Sequence, residues 1–315
     1  MVRFDETASK KGEQYVRDVR DGRRRRSGGL GGGGRMPMGK VGGGVGGLIL
    51  AIILAVLGIN VIGGEGQSGF PLDTSAFPET DAGIVEGGGS VGADPDADTV
   101  DYMEALMFDI QATWDEYFDR AGLQYRYTQL YIFDDVIDTG CGRATSAVGP
   151  FYCPAPGDNS VYVDLGFYGE LSARFGAPGD FAQAYVIAHE VAHHIQSVVG
   201  ISEQIRQAQA QDPANKNEYS IRQELQADCL AGVWAYSASR RSNSDGSAII
   251  EPGDIEEGLA AAAAVGDDRI QAQSGMTVDP HTWTHGSAEQ RVRWFTQGFD
   301  TGDPEQCDTF AAGNL

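Results

Sequence analysis

In the segment Ala188-His189-Glu190-Val191-Ala192-His193-His194-Ile195-Gln196, two histidines stand four positions apart and a glutamate directly follows the first. Residues four apart on a helix project from one face, so His189 and His193 can offer two imidazoles to a single metal ion. Glu190 is then rotated beside them. There it can take a proton from a water at the metal without ligating it, which is the position of a general base. The chemistry served by these residue types at this spacing is metal-assisted hydrolysis. Zinc, held by three protein ligands with one position left open, is the ion that suits such a set.

The third ligand must come from elsewhere, and the choice is narrow. The chain has five histidines, leaving His194, His281 and His285. His194 points off the face shared by the first two. Glu224, thirty-one residues after His193 in Glu-Leu-Gln-Ala-Asp, fits better, because Asp228 follows it one helical turn along the same face. Glu224 is expected to ligate the metal. Asp228 is expected to receive the free N–H of a ligand histidine and fix its tautomer. The alternative is an ordinary helix with a solvated acidic face. Against it, Tyr185, Val186, Ile187, Val191, Ile195, Val198 and Val199 surround the motif. The helix is therefore expected to be mostly buried, and buried His and Glu need a partner such as a metal.

Further segments accompany these: Thr-Gly-Cys-Gly at 139–142, Gly-Pro-Phe-Tyr-Cys-Pro at 149–154, the run from Glu224 to Trp234, and His-Gly-Ser-Ala-Glu-Gln-Arg-Val-Arg-Trp-Phe from His285. On these residues the chain resembles the putative neutral zinc metallopeptidase family of bacteria, a gluzincin-like group, from about residue 100 to the C-terminus. Ala192 stands where the family commonly has glycine. The resemblance implies peptidase activity with Zn2+ as cofactor, His189, His193 and Glu224 as ligands, Glu190 as catalytic base, and a peptide or protein as substrate. It also implies an edge strand beside the metal helix that pairs with the substrate backbone, for which residues 160–165 are the expectation. A tetrahedral intermediate needs a donor beyond the metal. His285, at an expected helix start, is the candidate for this catalytic role, a structural histidine being the alternative. Arg291 and Arg293 read as structural ion-pair partners. Two rival functions stay open: a catalytically inactive zinc-binding scaffold, and a zinc hydrolase acting on a non-peptide amide of the cell envelope.

The elements that must position these residues follow from periodicity. Met103, Leu106, Met107, Ile110, Trp114 and Tyr117 recur at threes and fours, predicting an amphipathic helix whose stripe is core. Residues 127–133 and 160–165 have the aromatic and β-branched content of short strands. Helices are expected near 180–199, near 218–238, after Pro252 through the alanine run, and near 287–299. The expected fold class is α+β: a helix-dominated, zincin-like catalytic domain with a small β-sheet, preceded by one transmembrane helix. No internal repeat is present, and residues 100–315 have the size of one domain.

The first forty residues carry eleven Lys or Arg and five Asp or Glu, a net +6, which leaves −28 for the rest of a chain at −22. From Leu48 to Ile62 an apolar stretch is broken only by Gly58 and Asn60, and the Gly-Val repeat from Val41 can lengthen it. The reading is a basic cytoplasmic tail at 1–40 and a transmembrane anchor at 41–64, with Arg23 to Arg26 kept inside and the catalytic region extracytoplasmic at the cell membrane. A cleaved signal peptide and a buried core helix are the alternatives. Residues 65–99, rich in Gly, Asp, Pro and Ser, read as a disordered acidic linker. Beyond the anchor Lys216 is the only lysine, and this charge balance argues against nucleic-acid partners.

Cys141, Cys153, Cys229 and Cys307 all lie beyond the apolar stretch. An even number in an exported domain predicts two disulfides, and the spacing excludes a zinc knuckle. Sequence permits three pairings. The expected one joins Cys141 to Cys153 across a Gly- and Pro-containing loop, and Cys229 to Cys307, tying the tail to the Glu224 helix. A buried free thiol at Cys229 is the alternative.

Overall fold

The computed structural model describes residues 2–20, 94, 96–175 and 179–315. In chain order the elements are α1 (Glu6–Gly12), β1 (Val16–Asp18), α2 (Ala97–Arg120), β2 (Leu130–Phe133), β3 (Val136–Thr139), β4 (Gly142–Thr145), β5 (Phe151–Cys153) and β6 (Ser160–Asp164). Then follow α3 (Gly166–Phe175), α4 (Asp180–Val198), α5 (Ile201–Gln211), α6 (Lys216–Ser239), α7 (Asp254–Ala264), α8 (Asp267–Gln273) and α9 (Ala288–Thr301). The fold is α+β and helix-dominated, as the periodicity indicates.

One sheet has the order β1-β2-β6-β5, with β1, β2 and β6 parallel and β5 antiparallel at an edge. All five positions of β6 are buried. That suits a central strand covered on both faces, and explains why its sequence shows no polar alternation. The second sheet is the β3–β4 hairpin, tied to β5 by the Cys141–Cys153 disulfide. Met103, Leu106, Met107, Ile110 and Trp114 of α2 enter the main core as the spacing requires. Tyr117 is part-buried and donates from its hydroxyl to the Gly302 carbonyl at 2.7 Å.

The helix α4, which carries His189, Glu190 and His193, is held between the sheet and a helical layer of α6, α7 and α9. Phe181, Trp234 and Phe295 meet at its first turn, with ring centroids 6.0 Å apart for Phe181–Trp234 and 6.5 Å for Phe181–Phe295. α6 and α9 cross through glycines on both sides. A Cβ at Gly232 would lie 2.1 Å from the Phe295 carbonyl oxygen, and one at Gly298 would lie 1.9 Å from that of Cys229. Only glycine permits this approach, and it brings Arg291 of α9 within reach of Asp228 of α6. The second disulfide, Cys229–Cys307, closes the C-terminal tail onto α6, and the described residues contain no free cysteine. The pairing is the expected one.

The N-terminal residues correct the expected organisation. α1 packs on α2, with Ser9 donating to Glu104 at 3.1 Å, and β1 runs in register with β2, Val16 beside Leu130 and Asp18 beside Ile132. Arg20 is buried, donating to Asp18 at 2.8 Å, Asp94 at 2.9 Å and Asp96 at 2.6 Å. Residues 2–20 are therefore part of the folded unit with 96–315, not a separate basic tail reaching residue 40. The linker expected to reach residue 99 likewise ends earlier, because Asp94 and Asp96 hold Arg20 and α2 begins at Ala97. The charge of the first forty residues is misleading as a block, since Arg20 neutralises acids of the fold. The stretch read as an anchor, 41–64, lies outside the described residues, as do the rest of the tail and most of the linker. Among the described residues no helix is long and apolar enough to cross a membrane.

Candidate metal centre

His189 and His193 project from one face of α4, their rings 4.8 Å apart between centroids and nearly perpendicular at 89°. Glu224 faces them from α6. Its Oε2 lies 3.2 Å from His189 Nε2 and its Oε1 lies 3.5 Å from His193 Nε2. One ligand atom from each of the three falls within 4.8 Å of the others. Two imidazole nitrogens and a carboxylate oxygen thus converge on one point, while the far edges of both rings are bonded outward. This donor set fits zinc. Burial opposes charge on Glu224, yet His193, His285 and His189 outweigh it and hold the carboxyl well below its usual range.

The backing of His189 is charged. Its Nδ1 lies 2.8 Å from Asp228, which also accepts from the Tyr185 hydroxyl at 2.5 Å and from Arg291 through Nε at 2.8 Å and Nη2 at 2.9 Å. Asp228 is fully buried. Burial works against its charge, but Arg291 and His189 prevail and lower its pKa to about 2. Burial also disfavours a charged His189, and Asp228 and Glu224 more than compensate, raising it to about 9. Arg291 is thus an ion-pair residue, as expected. Arg293, by contrast, donates to the Leu315 oxygen at 3.4 Å. In the sequence Tyr185 reads as one more apolar neighbour. Its place one turn before His189 is the signal that could have found it.

Glu190 is buried beside the two histidines. Desolvation raises its pKa, while His193, His189 and a backbone hydrogen bond from Tyr152 lower it, and the balance is upward. His194 points away, with its Nε2 2.5 Å from the Arg126 carbonyl and its Nδ1 3.2 Å from the Tyr152 hydroxyl. A carbonyl only accepts, so Nε2 carries the proton there. His281 is exposed, in a 3-10 turn outside the centre.

His285 reaches the site from the loop between α8 and α9, near enough to Glu224 to help hold its charge. Its Nδ1 lies 3.3 Å from Asp267 Oδ1. Asp267 Oδ2 accepts the backbone N–H groups of Thr284 and His285 at 2.7 Å each and of Gly286 at 3.1 Å. Burial opposes the Asp267 charge, but His285 and these donors keep its pKa low. His285 does not cap α9. Ser287 does, in a capping box with Gln290. Sequence reading missed Asp267.

The strand expected to be a substrate edge is corrected. β6 is flanked by β2 and β5 and has no free edge. The edge beside α4 belongs to β5, which carries Tyr152 and the Gly-Pro-Phe-Tyr-Cys-Pro segment. A segment of three paired residues followed by proline carries too little pattern to be recognised as a strand.

Fold and centre together define an α+β protein with an H-E-x-x-H helix and a distant glutamate converging as a donor set that suits zinc. The chain belongs to the putative neutral zinc metallopeptidase family, whose sequence profile matches residues 8–310. That span includes part of the N-terminal segment as well as α4 and α6. The chain is 42% identical over 293 residues to the uncharacterized protein YpfJ of Escherichia coli, covering 91% of this chain and 94% of that one. It is 50% identical over 196 residues to the uncharacterized proteins Mb2605 of Mycobacterium bovis and Rv2575 of Mycobacterium tuberculosis, covering 61% of this chain and 65% of each. No solved structure matches the chain.

Proposed function

We propose that the chain is a zinc-dependent peptidase that hydrolyses peptide bonds with Glu190 as general base. The observation that carries this reading is the convergence of His189, His193 and Glu224 with a buried fourth residue, Glu190, beside them. A purely structural zinc site closes its fourth position with another Cys or His, and no such residue joins this cluster among the described residues. Bound zinc supplies a polarised carbonyl and a water made acidic near neutrality. Glu190, its proton affinity raised by burial, takes a proton from water and passes it to the leaving amine. His285, held through Nδ1 by Asp267 and lying beside Glu224, is the candidate donor to an oxyanion. β5, the outer strand of the sheet beside α4, is the strand an extended peptide would meet, at the point where the Tyr152 backbone also bonds Glu190.

The test is mass-spectrometric cleavage profiling of a peptide library with the full chain and its Glu190→Gln variant. The full chain is needed because a truncation to residue 100 would remove α1, β1 and the Arg20 clamp. Cleavage by the parent, lost in the variant while zinc stays bound, supports the reading. Absence of cleavage with zinc bound would overturn it in favour of a scaffold or a non-peptide amide substrate.

Membrane attachment through 41–64, with a cytoplasmic N-terminus and the catalytic unit outside, is proposed on the sequence pattern alone. The docked N-terminal segment sets a condition on it. A single crossing separates residues 2–20 from 96–315, so α1 and β1 must leave α2 and β2 when the chain spans once. Lys10→Cys and Thr277→Cys, both at exposed positions, can be labelled in intact cells with an impermeant maleimide. Labelling at 277 and not at 10 is expected for a single crossing, and equal labelling at both would exclude it.

A further inference from the structure

Zinc ligation by His193 requires its Nε2 lone pair, hence a proton on Nδ1. Asp228 enforces that arrangement on His189, but no carboxylate faces the Nδ1 of His193. Its partner is Gln196 Oε1 at 2.9 Å. An amide can turn either oxygen or nitrogen toward a ring, so its orientation has to be derived from the other groups it meets.

Backbone carbonyls, which can only accept, settle that orientation. Gln196 Nε2 lies 2.8 Å from the Gln223 carbonyl oxygen and 3.1 Å from Gln226 Oε1. Gln226 is oriented in the same way, since its Nε2 lies 3.1 Å from the Cys307 carbonyl. Both amide nitrogens are therefore fixed toward carbonyls, and Gln196 Oε1 must face His193. That oxygen has a second donor, Gln223 Nε2 at 3.4 Å. Every donor and acceptor of the Gln196 amide is then used, at a residue with no solvent exposure. Turning it over would set its oxygen against the Gln223 carbonyl and leave His193 protonated on the wrong nitrogen. A buried network satisfied in only one arrangement specifies that arrangement.

We propose that Gln196 is a positioning residue that fixes the metal-binding tautomer of His193, and that Gln226, anchored on the Cys307 carbonyl, holds Gln196 in the required orientation. The proposal rests on the zinc-site reading of His193 but not on peptidase activity. An amide suits this position for a reason of charge. Glu190 and Asp228 are buried and Glu224 part-buried around the two histidines, with Arg291 the cation paired to Asp228, so carboxylates already outnumber cations beside the ligands. A further carboxylate anion would leave a buried charge unpaired.

The test is zinc affinity by chelator competition on the full chain, for the parent and for Gln196→Met, Gln196→Glu and Gln226→Met, with thermal melting as the folding control. Methionine fills the space without accepting from Nδ1–H. Glutamic acid in its neutral form keeps one acceptor and one donor, and burial favours that form. Gln196→Met is expected to weaken zinc binding roughly 10- to 100-fold, the usual loss for a partner of a ligand histidine. Gln196→Glu should retain affinity within several-fold, and Gln226→Met should lose less than Gln196→Met. In the zinc-loaded parent, 15N-histidine NMR should show a His193 Nδ1–H protected from exchange, with the protection lost in Gln196→Met. Equal losses in the Met and Glu variants, or no loss in either, would overturn the proposal. If Gln196→Met does not fold, the Gln226→Met affinity and the protection of Nδ1–H in the parent decide it. A parent that binds no zinc would instead overturn the reading of the site itself.

Discussion

Three histidines around the centre are held at Nδ1 by three supports. His189 rests on Asp228 and His285 on Asp267, while His193 rests on the amide of Gln196. The carboxylates are themselves compensated, Asp228 by Arg291 and Tyr185, and Asp267 by three backbone N–H groups. A carboxylate support adds charge beside the ring, so it ties orientation to electrostatics. An amide fixes the same tautomer with no charge, at the cost of needing partners that prevent it from turning over. The centre uses charge where a cation or backbone donors are at hand, and an amide where neither is.

The largest expected effect comes from breaking the charged support. Asp228→Asn leaves Arg291 buried without its carboxylate and should cost about 3–5 kcal/mol in denaturant unfolding, with weaker zinc binding. A loss below about 1 kcal/mol would show that Asp228 and Gln196 are equivalent supports. Adding Arg291→Met to that variant removes the stranded cation. The double variant should regain about 1–2 kcal/mol over Asp228→Asn, and strict additivity of the two losses would deny the coupling.

Asp267→Asn sharpens the comparison through pH. It should cost about 2 kcal/mol near neutrality, since a charged acceptor of several hydrogen bonds is lost. The folded Asp267 pKa is depressed, so its contribution is present above the unfolded value of about 3.9 and vanishes as pH falls through the lower folded value. Unfolding curves of parent and variant should therefore converge in acid, and a constant gap would contradict the assignment. The smallest effect is expected from Gln226→Met, about 1 kcal/mol in stability, with a gap to the parent that does not track carboxyl titration.

Legibility follows the range of the interaction. His189, Glu190 and His193 are readable because a helix converts a spacing of four into a shared face, and the same rule places Asp228 beside Glu224. Tyr185 and Gln196 obey that rule too, at four before His189 and three after His193, but apolar and amide side chains do not advertise a role. The two disulfides agree with the expected pairing, and α2, α4, α6 and α9 lie close to where periodicity puts them. The β1 strand is not legible. Its three residues pair with β2 across more than a hundred positions, and no local window contains both partners. Arg20 looks like a topogenic charge for the same reason, since Asp94 and Asp96 that bury it are far along the chain.

The sequence by itself determined which side chains of one helix share a face as candidate ligands, because residue type and helical spacing are local properties that survive in any fold retaining the helix. Tertiary structure decided that Glu224 meets His189 and His193, that β5 and not β6 lies at the sheet edge, that Asp267 orients His285, and that residues 2–20 pack on the folded unit. Each of these depends on which elements pack together, and packing is settled by burial and hydrogen-bond satisfaction over the whole molecule.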